Sequence, residues 1–404
     1  MASETTRSSH RFPPFLALAL GLGCAAAIAA CGGSGSSLPS GNPPQQSPTP
    51  ATSTSPAASG TPVAFLSLPA GFHATYVSKN VPGARFMAVA PNGDLLVSET
   101  QAGAVVIISP GSSPDAQPRT FVSGLTLPHG LVFSGSTLYV ATWSGVLRYA
   151  YPSTTATTLF SNMPQGGDHN YRSLAVAGDG SVYVSSGSDC NICNESDARF
   201  ATVLHYANGD ATGSIYASGL RNASGLAFDN QGRLWAVVNQ RDDIGPSQAV
   251  TDNLPPDELD QVPAGGNFGW PRCYPDPNAA DRLPNPEYAS ANCSGQVPAA
   301  LDFQAHSAPL GIVFYYASQF PAQYRGGAFV AFHGSWDRSV ATGDKVVYVT
   351  FSAGRPVSYQ DFITGWLQSG NYVGRPVGLA LAADGSLYVG DDRLGAIYRI
   401  SYGP

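Results

Sequence analysis

Residues 166–172, Gly-Gly-Asp-His-Asn-Tyr-Arg, bring an acid, an imidazole, an amide, a phenol and a guanidinium into one short run. A neutral imidazole can take a proton from a hydroxyl, and a fixed cation can steady negative charge that builds up nearby. The run leads directly into apolar alternation from Leu174 to Val184. Loops carry function while strands carry packing, so this polarity points to a site at the end of a sheet. Arg221-Asn222, Asn239 to Asp243, His306, Ser335 to Arg338, Arg375 and Asp391-Asp392 also flank apolar runs.

Those runs are copies of one unit: an apolar strand opening near Gly-Leu-x-Phe, a tight turn, a second apolar strand, then a polar loop. The copies are Met87–Glu99, Gly130–Ala141, Leu174–Val184, Gly225–Val237, a degenerate pair Gly311–Phe314 with Gly327–Phe332, and Gly378–Val389. Asn-Gly and Asp-Gly between alternating runs are hairpin turns. The early starts at 87, 130 and 174 match the ~40–45-residue period of a propeller blade. The expected fold is therefore all-β, a six-bladed β-propeller of four-stranded antiparallel blades, in preference to a β-sandwich. Radial closure leaves few open edges, and the spare strand Gly71–Val77 is expected to complete the last blade.

In an up-and-down blade, the residues before each first strand and those after each second strand lie at the same end of the sheet. That places Arg85, His129, Asp168 to Arg172, Arg221, His306 and Arg375 around one mouth, with Glu99, Trp143, Asp189, Asn239 to Asp243 and Arg338. The chain carries a net charge of −7 and has only two lysines, Lys79 and Lys345. Arginines at the mouth of an acidic protein suggest a bound small anion, and no basic stripe suggests nucleic acid. His205, inside a strand, reads as packing; His129 is balanced between rim contact and turn structure; Asp257-Glu258 reads as a solvated or structural-calcium corner.

Residues 1–30 read as a lipoprotein signal peptide: Arg7 and Arg11, a short apolar run from Phe15, and Ile28-Ala29-Ala30-Cys31 in the manner of a lipobox. Cys31 is the expected lipidation site, in preference to Cys24 or to an ordinary secretory signal. Residues 31–62, rich in Gly, Ser, Pro and Thr, read as a tether, and 63–404 as the propeller. The expected location is the bacterial cell envelope, held by a lipid anchor alone. Export permits disulfides, so Cys273/Cys293 and Cys190/Cys193 are the natural pairs, with half a zinc site as the alternative for the second. No Gly-x-Ser-x-Gly elbow, His-Glu-x-x-His or dinucleotide fingerprint follows residue 30.

Asp168-His169-Asn170, Leu220-Arg221-Asn222 and Gly265-Gly266-Asn267-Phe268-Gly269-Trp270-Pro271 resemble the soluble quinoprotein glucose dehydrogenases. Asn239 to Asp243, Leu254 to Glu258, His306 to Gly311 and Gly334-Ser-Trp-Asp-Arg338 resemble the L-sorbosone dehydrogenase branch still more closely. The resemblance runs from about Leu68 to Tyr402. It implies oxidation of a sugar hydroxyl or hydrated aldehyde by pyrroloquinoline quinone (PQQ) held over Ca2+, with a quinone or cytochrome as electron acceptor. It makes His169 the base, Asp168 the group that orients or tunes it, and Arg221 the stabiliser of charge on the reduced cofactor. Asn222 and Gln240 become its hydrogen-bonding neighbours, and Arg172, Arg338 and Arg375 candidates for cofactor contact. Calcium would take backbone carbonyls near Arg241 and Asp242, where the glucose enzymes have Gly-Pro, with the Asp242 carboxylate joining. A lysine that contacts the cofactor in those enzymes has no counterpart here. Two other readings stand beside this one: a tethered, non-enzymatic propeller that binds a sugar, and a calcium-dependent lactonase using Glu99, Asn222 and Asp391.

Overall fold

The computed structural model describes residues 60–403; the lipobox at Cys31 and most of the expected tether lie outside them. Six four-stranded sheets follow one another in chain order. Blade one holds Ala84–Val89, Leu95–Glu99, Ala104–Ile108 and Arg119–Val122. Blade two runs from Leu131–Ser134 to Ala156–Phe160, and blade three from Leu174–Val176 to Ser214–Ser218. Blade four ends on Leu301–Phe303 after a long insertion, and blade five runs from Pro309–Tyr315 to Arg355–Ile363. Blade six takes Pro376–Leu381, Leu387–Asp391 and Ala396–Tyr402, and its fourth strand is Phe72–Ser78. That strand pairs antiparallel with Ala396–Tyr402, with Ala74 opposite Ile400, so the ring closes as expected. Tyr76 N–H donates to Thr61 O at 2.9 Å, so the fold takes in the last residues of the segment read as tether.

The recurring Gly-Leu-x-Phe has a steric cause. The first strand of each blade lies innermost, where neighbouring blades come closest. A Cβ on Gly225 would fall 2.0 Å from Leu310 O, on Gly311 2.3 Å from Val377 O, and on Gly378 2.2 Å from Arg85 O. Only glycine lets the backbones approach this far. Between blades, apolar side chains fill the wedge: Trp235, Phe303, Phe314 and Phe332 between blades four and five, and Phe72, Phe320, Phe329 and Trp366 between five and six.

The insertion 264–300 carries the Cys273–Cys293 disulfide, and Cys190–Cys193 closes a second, tighter loop. Arg282 of the insertion is buried against Glu258 with its Nη2 2.6 Å from the carboxylate, and its Nε–H donates to Val297 O at 2.7 Å. The Asp257-Glu258 corner is therefore not solvated, since both side chains are buried. Glu258 holds the insertion, while Asp257 turns towards the mouth. Among the described residues no helix is long and apolar enough to cross a membrane.

Candidate active site at the propeller mouth

A cavity of about 390 Å³ opens at the mouth, lined by His169, Tyr171, Arg221, Asn222, Asn239, Gln240, Asp242, Asp257, His306, Ala308, His333 and Trp336. Two other grooves, one of about 400 Å³ lined by Thr75, Gly93, Asp384 and Arg399, lie elsewhere and hold none of these groups.

His169 stands where its loop meets the end of strand Val182–Ser186. Its Nδ1 is 2.9 Å from Ser188 O and 3.0 Å from Ser188 Oγ. The carbonyl can only accept, so Nδ1 carries the proton and Nε2 keeps its lone pair. Gly187 makes room for the ring, because a Cβ there would lie 2.5 Å from His169 Cβ and 2.9 Å from Asn222 Oδ1. Burial, then the charge of Arg221, lowers the His169 pKa to about 4. The imidazole is thus neutral and ready to accept a proton across the physiological range. Asp168 does not orient it. Asp168 is exposed and no hydrogen bond links the two; its charge only offsets a part of the lowering.

Arg221 is buried, 4 % exposed. Its Nη1 donates to Gln240 O at 2.6 Å, and its Nε and Nη2 donate to Asn191 O at 3.2 Å and Asn191 Oδ1 at 2.9 Å. Nη2 also lies 3.8 Å from Asp242 Oδ2. Burial lowers its pKa to about 10, so it keeps its charge at neutral pH. Asn222 donates to Asn239 Oδ1 at 3.2 Å. Gln240 gives its backbone N–H to Asp257 Oδ1 at 2.9 Å and its side-chain amide to Glu258, on the side of the insertion, and its Oε1 is buried without a partner.

The expected carbonyl cradle differs. Asp242 O already accepts Asn191 Nδ2 at 3.2 Å and Arg241 Nε at 3.1 Å. The Arg241 side chain leaves the cavity to hold the insertion, with Nη1 2.5 Å from Glu287. Two carboxylates and an imidazole come together nearby: one potential ligand atom each from Asp242, His306 and Asp337 lies within 4.8 Å of the others. His306 Nε2 donates to Thr251 O at 2.7 Å, so in the neutral ring Nδ1 turns a lone pair towards Asp242 Oδ1 at 3.5 Å. Two lone pairs facing each other call for a proton or a cation between them. Burial opposes charge on His306, but Asp242 and Asp257 outweigh it and raise its pKa. Asp257 itself is raised to about 6 by burial, against the N–H groups of Gln240 and Ala308. Asp243, His306 and Ala308 along this wall have φ of 54°, 58° and 53°, a conformation non-glycine residues adopt at a cost, often at functional sites.

Three of the expected arginines do not reach the cavity. Arg172 is wholly buried and gives its donors to Trp143 O, Ser186 Oγ and Pro164 O. Arg375 donates to His333 O and Gly334 O at 3.1 Å each. Arg338 binds Asp252 O, Ala305 O and Val340 O. A guanidinium beside a loop meets carbonyls that need donors, and these three met them. His333 was missed, although it follows strand Gly327–Phe332 as Gln240 follows its own strand. Its Nε2 lies 3.0 Å from Asp392 Oδ2, and Arg85 is 2.6 Å from the same oxygen. Burial, against the pull of Asp392, lowers the His333 pKa to about 4. Asp337 and Trp336 were seen only as part of a loop. The lactonase set does not converge: Asp391 is buried and accepts from Trp366 at 2.9 Å, Tyr398 at 3.0 Å and backbone N–H groups. His129, buried against Phe86 and Thr100, is packing.

The sequence matches the TrAA12-like family over residues 66–403. The chain belongs to that family. The expected kinship with soluble quinoprotein sugar dehydrogenases is thereby borne out. A Hypocrea jecorina relative of the TrAA12-like chain, a PQQ-dependent sugar dehydrogenase, is 28 % identical over 69 % of this chain and 75 % of its own length. An uncharacterised Borreliella burgdorferi protein is 31 % identical over 46 % of this chain and 48 % of its own. The chain thus aligns with about half the length of that relative. A Coprinopsis cinerea PQQ-dependent pyranose dehydrogenase aligns over 31 % of its length. Among solved structures, the calcium form of a Trichoderma reesei enzyme of carbohydrate-active family AA12 overlays with a TM-score of 0.71 at 24 % identity, covering 87 % of this chain and all of that one. The holo PQQ domain of the Coprinopsis pyranose dehydrogenase overlays at 0.68 with 21 % identity, over 83 % and 97 %. These overlays support the six-bladed fold.

Proposed function

We propose that the protein is a PQQ- and calcium-dependent sugar dehydrogenase that oxidises a sugar hydroxyl or hydrated aldehyde. The observation that carries this is the neutral His169, with its Nε2 lone pair free, in a cavity it shares with buried Arg221 and the carboxylates of Asp242 and Asp257. The residues suit both groups. Asp242 and Asp337 offer hard oxygens to a divalent cation, and the facing lone pairs of His306 and Asp242 want positive charge between them. Arg221, buried and fixed at the cavity, offers a charged donor to an anionic cofactor, while Arg85 is offset by Asp392. When bound, the quinone would supply the acceptor for the two electrons and the hydrogen leaving the sugar carbon.

The chain's own part is then a proton transfer in a fixed frame. The sugar lies at the lip, its hydroxyl directed at His169 Nε2. Ser188 holds the ring by Nδ1, so the proton is taken at one atom only. Arg221 holds its charge without reorganising, because Asn191 and Gln240 already fix it. Tyr171, His333 and Trp336 line the same cavity. Reconstituting purified protein with PQQ and Ca2+ and then offering aldoses tests this reading. Sugar-dependent bleaching of the oxidised-quinone absorbance supports it. Cofactor binding without reduction by any sugar would favour the tethered binding module. We also propose that Cys31 anchors the protein to the envelope, where a quinone or cytochrome accepts its electrons; radiolabelled lipid incorporated at Cys31 and lost in Cys31→Ser is the expected result.

A further inference from the structure

The loop closed by the Cys190–Cys193 disulfide is not among the residues lining the cavity, yet it touches two that are, Arg221 and Asp242, and reaches a third, His169, through Ser188. Ser188, at its base, takes His169 Nδ1 on both its carbonyl and its hydroxyl, and the same hydroxyl donates to Cys190 O at 2.8 Å. Asn191, inside the ring, does more. Its carbonyl and its Oδ1 accept Arg221 Nε and Nη2. The same Oδ1 accepts Asp242 N–H at 3.0 Å, while Nδ2 donates to Asp242 O at 3.2 Å.

Both the N–H and the C=O of Asp242 are therefore bound by one amide side chain, whose acceptor is shared with the buried guanidinium. Only an amide can accept and donate in this way. Aspartate would lose the donor and add charge beside Asp242; alanine would lose both contacts and leave Arg221 and Asp242 N–H short of partners in a buried place. Asn191 and Arg241 both donate to the Asp242 carbonyl, and the carboxylate is the group that faces His306 and Asp337.

We propose that Asn191 is a positioning residue for this site: it sets Arg221 and the Asp242 carboxylate relative to His169, with the Cys190–Cys193 disulfide as the brace that keeps Asn191 in place. This rests on the reading of Arg221 and Asp242 as working parts of a dehydrogenase. It adds that the base, the fixed cation and the metal-facing carboxylate are tied to a single covalently closed loop.

The test uses the whole protein and the variants Asn191→Ala, Asn191→Asp and Cys190→Ser/Cys193→Ser. Calcium titration of cofactor-free protein by calorimetry reads the Asp242 side without any turnover. Steady-state kinetics with excess PQQ and calcium reads the Arg221 side. Asn191→Ala is expected to weaken calcium binding about tenfold or more and to lower kcat by about 10- to 100-fold, with the sugar KM within about twofold because Asn191 is outside the cavity. Asn191→Asp, which keeps the shape, should lose kcat as well, and the double serine variant should follow in the same direction by a smaller factor. A merely structural role would lower the folded fraction while leaving calcium affinity and kcat per folded molecule at the wild-type values. That result, with Asn191→Asp also at wild-type values, would overturn the inference. Wild-type protein that binds no calcium would instead overturn the cation reading of Asp242, His306 and Asp337, and the split between kcat and KM would then decide the role of Asn191 towards Arg221.

Discussion

At the scale of single residues the account turns on His169. An imidazole with an ordinary pKa near 6.5 would lose its basic form below neutrality. Here burial and Arg221 hold the pKa at about 4, so the acid limb of kcat/KM should lie near pH 4. His169→Ala should lower turnover by about 10²- to 10⁴-fold, the usual share of positioned proton transfer, and remove that limb while PQQ is still retained. A rate limb near 6.5 in wild type, or one that survives in the alanine variant, would assign the proton to another group. The sequence showed His169, Arg221, Asn222, Gln240 and Asp242 at the mouth because each sits next to an inner or second strand, and the strand pattern fixes that end of the sheet. It did not show where a long side chain bends. Arg172, Arg338 and Arg375 lie at the mouth in the chain but spend their donors on neighbouring carbonyls, and the partner of His169 proved to be Ser188 rather than adjacent Asp168.

At the scale of elements the blades were legible because their signals are local: alternation of period two, Asn-Gly and Asp-Gly turns, and a glycine that each inner strand needs. The structure explains that glycine as a backbone approach between blades. Gly311→Ala puts a Cβ 2.3 Å from Val377 O, and forcing the strands apart should cost about 1–3 kcal/mol, measured by denaturant unfolding. A loss below about 0.5 kcal/mol would mean that the strands can part freely. The insertion 264–300 was less legible, because its hold on the fold comes from long-range pairs: Arg282 with Glu258, and Arg241 with Glu287. Its Cys273–Cys293 bridge spans 20 positions, so removing it should cost about 3 kcal/mol. Unfolding that is unchanged in Cys273→Ser/Cys293→Ser would show that these ion pairs suffice.

For the molecule as a whole, buried acids set the pH dependence of stability. Burial raises Asp257 to about 6 and Glu195, Asp302 and Asp344 to about 7. From about pH 4 to 7 the folded state keeps protons on these groups that the unfolded chain has released, so they destabilise the fold as pH rises. His169 and His333, both lowered to about 4, act the other way, since only the unfolded chain binds their protons between about 4 and 6.5. Buried His129, lowered well below its ordinary value, joins the imidazoles, and Asp260, raised by burial well above the carboxylate range, joins the acids. Five carboxyls outweigh three imidazoles, and the Tm of calcium-free protein should fall between pH 5 and 7; a rise would show that the acids are ionised in the fold. The ring, its closing strand and the gathering of polar loops at one mouth together make the central claim, oxidation of a sugar at that mouth. Its most direct measurement is the absorbance of protein loaded with PQQ and Ca2+ on adding an aldose, for wild type and His169→Ala side by side. The account predicts rapid, sugar-dependent reduction in wild type, slowed at least about a hundredfold in the variant at equal cofactor loading. Equal rates in the two proteins, or a loaded wild type that no sugar reduces, would contradict it.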